Sequence, residues 1–320
     1  MSRGYPCTFF SQEPNNHHIR LVGDLGCRMV KLPKNKLSST LEIESEVKEI
    51  TDNVGVTSQA VLFIDHYKIN SIWEKQASSF FNTLIAIDDL ANRNHYVDFI
   101  IDHNVGRSKN QYKKFNKKNA HILVGPKYAI INNIFKEMRK SIRHNREIFS
   151  TENILVYFGS SHIENFYLSF LDDFSKHFKK EKYKLTVITS RTVSDNFREY
   201  CKNKTFSHLS NLSPGQIAKI FLESDFCIGA GGVSALERCS LGLPSCIVCI
   251  AENQIHGSDA LQQAGCVRLL NNFPEMAIDF NELSEILCNK DLLHELSSNS
   301  LRLVDGNGVE RILDRILSLC

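Results

Sequence analysis

The sequence predicts an α/β protein made of two halves, each a parallel sheet wound with crossover helices. Three observations carry this. Short apolar runs alternate with longer amphipathic ones along the chain, the rhythm of strand–helix–strand units. Polar or glycine-rich clusters follow several of the apolar runs, at the strand ends where such sheets meet ligands. Residues 125–150 carry no strand signal and are rich in Lys, Arg and Asn, and Ile154 then restarts the rhythm. That interruption places a boundary near 140–152, giving domains 1–145 and 146–320.

In the first half, strands are expected at Cys7–Ser11, Arg28–Lys31, Ala60–Ile64, Thr83–Asp88 and Phe99–Asp102. The intervening amphipathic runs predict helices at Asn15–Asp24, Leu41–Val54 and Ile69–Phe81. In the second half, strands are expected at Ile154–Phe158, Lys184–Ile188, Phe226–Ile228, Ser245–Cys249 and Val267–Leu269. Helices are expected at Ile163–Lys179, Ser194–Cys201, Pro214–Glu223, Ser234–Leu241 and Gly257–Ala264. Three more, at Asn281–Cys288, Lys290–Asn299 and Val309–Leu319, close the chain.

The clusters at strand ends are specific. Asp65-His66-Tyr67 follows the Ala60–Ile64 run, and Asp88-Asp89 follows Thr83–Ile87. Gly159-Ser160-Ser161-His162 follows Ile154–Phe158, Gly231-Gly232 follows Phe226–Ile228, and Glu252-Asn253-Gln254 follows Ser245–Ile250.

Composition excludes several classes. With 42% hydrophobic and 23% charged residues among 320, the chain can build a sizeable core. A formal net charge of +2 gives no argument for nucleic acid or an anionic membrane surface. No run reaches the roughly 18 apolar residues of a spanning helix, so membrane insertion is not expected. The ten cysteines are scattered, and the one CxxC, Cys246/Cys249, lies in an apolar run that reads as a buried strand. That usage fits a reducing, cytoplasmic setting and gives no metal or redox cofactor. The oligomeric state is not specified by any of these features.

The most informative stretch is 224–245, SDFCIGAGGVSALERCSLGLPS. A buried strand end meets Gly229, Gly231 and Gly232, then Ser234, Glu237 and a helical run closed by Gly242 and Pro244. Glycines let backbone N–H groups approach a ligand with no Cβ in the way, and the helix amino end favours an anion. The turn therefore suits a phosphate or pyrophosphate. Ser234 and Glu237 also form an S-x-x-E capping box, which needs no ligand. Asp88-Asp89 likewise has two readings, as paired carboxylates for acid–base or metal chemistry, or as caps of the following loop.

Four segments read together, FIDHY (63–67), IAIDDLANRNHYVDFIID (85–102), LVGPKYAIINNIF (123–135) and 224–254, resemble one family. It is the UDP-2,4-diacetamido-2,4,6-trideoxy-β-L-altropyranose hydrolases of pseudaminic acid biosynthesis, with their spore-coat polysaccharide relatives. The resemblance is collinear over roughly residues 5 to 270. It implies a GT-B-like fold, two Rossmann-like domains around a central cleft, and hydrolysis of a UDP-sugar at C1 with inversion and without a metal. A GT-B glycosyltransferase, or a non-catalytic UDP-sugar-binding protein, is the alternative.

Position by position, the resemblance implies that Gly231, Gly232 and Ser234 hold the pyrophosphate, with Gly159 and Ser160 in the neighbouring turn. Glu237 would accept from the ribose hydroxyls, and Asn253 and Gln254 would contact sugar or phosphate. Tyr67 would face the reacting sugar, with Asp65 shaping its loop and His66 orienting it. The chain departs from the family at its start. A G-x-G-H segment carrying the expected catalytic histidine has no counterpart, and Gly4–Phe10 match the family's second strand. The resemblance therefore implies an incomplete N-terminal sheet with unpaired backbone and bare apolar surface. His17, His18, His162 and His256 are the other histidines weighed as substitutes. Each also reads as an exposed or turn residue.

Overall fold

The computed structural model describes residues 4–55, 60–142, 150–159, 164–179, 182–189, 193–270 and 277–319. The chain divides into two compact units.

The first unit takes residues up to Asp102 together with Ser108–Leu123. Its strands are β1 (Thr8–Ser11), β2 (Arg28–Lys31), β3 (Val61–Ile64), β4 (Thr83–Ile87), β5 (Phe99–Asp102) and β6 (His121–Val124), the last reaching into the boundary. They form two separate sheets, one of order β1-β2 and one of order β3-β4-β5-β6. The described pairings β1–β2, β3–β4 and β4–β5 are all parallel. Helix α1 (Asn16–Asp24) starts where Asn15 accepts from the His18 N–H at 2.8 Å, so the His17-His18 pair sits in a first helical turn. Helix α2 (Thr40–Val54) is capped by Ser39 and stops at Gly55, whose φ of 59° is a left-handed conformation that L side chains rarely adopt. Helix α3 (Ser71–Ala77) is shorter than the Ile69–Phe81 expectation because Asn70 caps it, accepting from Ile72 N–H at 2.9 Å. A short helix α4 (Lys109–Tyr112) precedes β6.

The second unit takes Val124–Leu319 and residues 103–107. Helix α5 (Asn133–Arg139) precedes the strands β7 (Asn153–Tyr157), β8 (Lys184–Thr189), β9 (Ser207–Ser210), β10 (Phe226–Ala230), β11 (Ser245–Val248) and β12 (Arg268–Leu269). They form one six-stranded sheet of order β12-β11-β10-β7-β8-β9, parallel throughout. Its helices are α6 (Glu164–His177), α7 (Asp195–Asn203), α8 (Pro214–Glu223), α9 (Val233–Ser240), α10 (Ile255–Gln263), α11 (Phe280–Cys288), α12 (Lys290–Leu303) and α13 (Gly308–Leu317). Two apolar clusters cover the sheet. One joins β7 and β10 to α6, α7 and α11 through Phe158, Tyr167, Phe170 and Leu283. The other joins the sheet to α5, α8 and α9 through Phe135, Phe221 and Leu236. Every residue of β10 and β11 is buried, which is why both read as continuous apolar runs rather than alternating ones. Cys246 and Cys249 are buried with them, as small hydrophobes.

The division falls at Leu123/Val124, earlier than the 145 expected from sequence. Residues 125–139 lack a strand signal because they form a 3-10 turn and α5, and both pack on the second unit. Phe135 stacks near Phe221 with ring centroids 5.9 Å apart. The Arg139 guanidinium donates to the carbonyls of Ser240 (2.6 Å), Val304 (3.0 Å) and Leu301 (2.7 Å). A Cβ on Gly308 would sit 2.3 Å from the Ala129 carbonyl oxygen, so the amino end of α13 lies directly on that turn. Strands β6 and β9 were not anticipated. Strand β9 is polar at three of its four positions, and β6 offers only the three-residue apolar run Ile122–Val124, too short for a strand signal.

Candidate functional site

In the second unit the strand order reverses between β7 and β10. From β7 the chain proceeds outward to β8 and β9, then returns to the other side of β7 for β10, β11 and β12. In an open parallel sheet that reversal opens a crevice at the strand carboxyl ends. Gly159 follows β7 and the Gly231-Gly232 pair follows β10, so both turns flank the reversal.

The glycines have distinct physical reasons. Gly229 lies within the strand, where a Cβ would meet the Tyr157 carbonyl at 2.6 Å and the Arg238 guanidinium at 2.9 Å. It is glycine for packing. Gly231 is pressed on the start of α10, with its Cβ position 2.6 Å from Ser258 Oγ and 3.2 Å from Gln254 Cβ. Gly232 has φ of 80°, and among the described residues nothing lies within 4 Å of its Cβ position. Its backbone therefore faces open space at the head of α9. Gly159, at φ 69°, has its Cβ position 3.9 Å from Ser234 Oγ, which brings the two turns together.

The amino end of α9 has Gly232 as its cap residue, and no side chain hydrogen-bonds there among the described residues. The capping-box reading of Ser234 and Glu237 is therefore corrected. Helix α9 begins at Val233, which puts Ser234 inside the first turn, and its hydroxyl accepts from Arg238 at 3.2 Å. Arg238 is buried, its other terminal nitrogen donates to the Ala230 carbonyl at 2.8 Å, and its Nε has no partner among the described residues. It places a fixed positive charge beneath the turn.

Glu237 is half-buried one turn further on. Desolvation raises its pKa to about 7, and the neighbouring Arg238 offsets only part of this. Tyr157, the last residue of β7, is buried next to that carboxyl, and burial followed by the Glu237 charge pushes its hydroxyl up to about 12. Gln254 folds its amide oxygen back toward Ile250 N–H (3.3 Å), and Asn253 is exposed on the 3-10 turn Glu252–Gln254. Ser160 and His162 lie outside the described residues.

Sequence reasoning missed Tyr157, Arg238, Ser258 and the 103–107 segment. Asn104 Oδ1 lies 3.7 Å from the Cβ position of Gly257 at the head of α10. Its only sequence signal was position, directly after the Phe99–Asp102 run.

In the first unit, Asp65 and Tyr67 follow β3 and Asp89 follows the adjacent β4. The Tyr67 hydroxyl donates to Asp89 Oδ2 at 2.9 Å. Desolvation, then the Asp89 charge, raises the Asp65 pKa. His66 orients its own loop, its Nδ1 accepting from Lys68 N–H at 3.2 Å. Asp88 takes the structural reading. It is buried, pairs with Arg93, accepts from Ala91 N–H at 2.8 Å and from Tyr112 Oη at 3.0 Å. Desolvation works to raise its pKa, but His95 and Arg93 outweigh that and hold it at about 2. His95 in turn binds Glu74 at 2.7 Å, and the two carboxylates raise its pKa against desolvation.

No family profile matches the chain. An uncharacterized protein of Methanocaldococcus jannaschii is 23% identical over 219 residues, 66% of this chain, and the chain spans 44% of that relative's length. Among solved structures, Acinetobacter baumannii MurG superposes with a TM-score of 0.65 at 14% identity, covering 99% of this chain and 92% of that one. The UDP-GlcNAc 2-epimerase from Neisseria meningitidis bound to UDP-GlcNAc gives 0.60 at 13% identity, covering 98% and 91%. The fold is GT-B-like, an α/β architecture with parallel sheets in both units. No helix among the described residues is long and apolar enough to cross a membrane.

Proposed function

We propose that the second unit binds the UDP moiety of a nucleotide sugar, and that the chain acts on that sugar as a hydrolase of pseudaminic-type surface-sugar biosynthesis. The observation that carries the binding reading is the open, uncapped head of α9 at the strand-order reversal. The first-turn N–H groups of a helix have no intrahelical partner, Gly232 at the head of α9 brings no side-chain cap, the helix dipole favours negative charge, and Arg238 adds to it. Glu237, one turn on, accepts from the ribose hydroxyls in its ionised form. A structural neighbour holding UDP-GlcNAc supports a ligand of this class.

In the proposed reaction, water oxygen bonds to C1 of the sugar, the C1–O bond to UDP breaks, UDP leaves with the bonding pair, and the proton that the water gives up passes to the departing phosphate or to solvent. Tyr67 and Asp65 are the first-unit residues assigned to the sugar side. The collinear resemblance of 63–67, 85–102 and 224–254 supports hydrolysis over other UDP-sugar chemistry.

The test is incubation with the UDP-linked 2,4-diacetamido-2,4,6-trideoxy hexose, following UDP and free sugar by chromatography. Equal release of both supports the reading. UDP release that requires an added sugar or lipid acceptor replaces it with a glycosyltransferase, and isomerised UDP-sugar with no release replaces it with an epimerase.

A further inference from the structure

Tyr67 stands at the corner of a tight turn. The Ile69 N–H donates to the His66 carbonyl at 3.3 Å, which closes a turn with Tyr67 and Lys68 at its centre. The Tyr67 ring is exposed, and its hydroxyl reaches Asp89 at the end of the adjacent strand. One backbone hydrogen bond in water holds such a turn only weakly.

The Arg93 guanidinium supplies the rest. Its Nε donates to the Ile69 carbonyl at 3.0 Å and its Nη2 to the His66 carbonyl at 3.5 Å, so one planar group grips both end residues of the turn. Its Nη1 pairs with Asp88. Just past the turn, the Ser71 N–H donates to the Asn94 carbonyl at 2.9 Å. Arg93 can hold the turn because its own anchor is fixed. The Asp88 side chain has no exposed surface, and it accepts from Ala91 N–H (2.8 Å) and Tyr112 Oη (3.0 Å). The Asp88 N–H donates to the Ile101 carbonyl of β5 at 3.0 Å. Ala91 takes φ 51°, a left-handed conformation unusual for an L side chain, and the bend brings residues 91 and 93 both back to Asp88. Desolvation and Asp89 raise the Asp65 pKa, and Arg93 is among the charges that oppose them. A guanidinium can meet a carboxylate and two carbonyls at once because it is a rigid fork of donors, where an ammonium is a point charge.

We propose that Arg93 is a positioning residue: it fixes the turn that presents Tyr67 and so sets where the Tyr67 hydroxyl meets the sugar. This rests on the reading of Tyr67 as a sugar-side residue.

The test compares the native chain with Arg93→Lys, Tyr67→Phe and the double variant. Arg93→Lys keeps a cation beside Asp88, so its denaturation midpoint is expected to stay near the native one. Hydrogen exchange at the Ile69 and Ser71 amides is expected to quicken at least ~10-fold, with the β4 amides unchanged. With the UDP-linked 2,4-diacetamido-2,4,6-trideoxy hexose, kcat is expected to fall at least ~10-fold at an unchanged KM, and the Kd for UDP alone to stay the same. Tyr67→Phe is expected to cost far less in the Arg93→Lys background than in the native chain, because Arg93 acts through Tyr67. Additive losses from the two substitutions overturn the proposal. So do native exchange and native kcat in Arg93→Lys. A native chain that does not turn over the UDP-sugar sinks the proposed function instead, and exchange at Ile69 and Ser71 then decides by itself whether Arg93 holds the turn.

Discussion

Replacing Glu237 by Gln separates a ligand contact from a structural role by its pH dependence. In the folded chain desolvation holds the Glu237 carboxyl at about 7, against an ordinary value of 4.5. A raised acid favours the protonated folded state, so its cost is absent well below 4.5, grows as pH rises, and is full above 7. That gap corresponds to about 3 kcal/mol of lost stability at pH 8 and about 1 kcal/mol at pH 5. Glu237→Gln removes the charge but keeps the shape. The variant is therefore expected to be more stable than the native chain by up to about 3 kcal/mol at pH 8, and by only about 1 kcal/mol at pH 5, by urea denaturation of the nucleotide-free protein. UDP affinity moves the other way. An ionised carboxylate accepting two ribose hydroxyls is worth about 1–3 kcal/mol, and the amide substitute loses part of it. Native affinity should rise with pH through about 7, and the variant's should stay flat. A variant that is less stable at pH 8 and binds UDP as tightly as the native chain would refute this reasoning.

Three further outcomes follow from single contacts. Gly231→Ala places a Cβ 2.6 Å from Ser258 Oγ, so the turn must shift, and calorimetry should find UDP affinity reduced at least ~10-fold, while an unchanged Kd would mean the turn is not at the phosphates. His95→Gln takes the cation from beside the buried Glu74 carboxylate, leaves Asp88 to Arg93, and should cost about 3–5 kcal/mol at pH 6. Because the His95 pKa is raised, its contribution is full below 6.5 and is lost as pH rises through the folded value, so the native–variant difference should shrink in alkaline buffer. Arg139→Ala removes three hydrogen bonds to helix-end carbonyls and should lower the second unit's stability by about 2–3 kcal/mol in denaturant titration, leaving exchange of β3–β5 amides unchanged.

Much of this architecture was legible in the sequence, for identifiable reasons. Strands β4, β10 and β11 are buried on both faces and so appear as unbroken apolar runs, while α2 and α8 carry their caps, Ser39 and Ser213, in plain view. The boundary was misplaced because α5 holds to the second unit through Phe135 and Arg139, contacts between residues far apart in the chain that no local pattern encodes. At the site, Gly231, Gly232 and Gly159 were visible as punctuation. Which glycine packs and which faces open space depends on Arg238 and Ser258, and that is tertiary information. The S-x-x-E pattern misled for the same reason, since Gly232 and not Ser234 heads α9. Asp88 could be read either way until Arg93, Tyr112 and His95 closed around it.

The proposed function requires that the open head of α9 take a nucleoside diphosphate. Isothermal titration of UDP into the chain tests it most directly. Saturable one-to-one binding, with a proton released near pH 6 as Glu237 ionises, is the predicted result. No heat of binding at UDP concentrations of about 1 mM would contradict it.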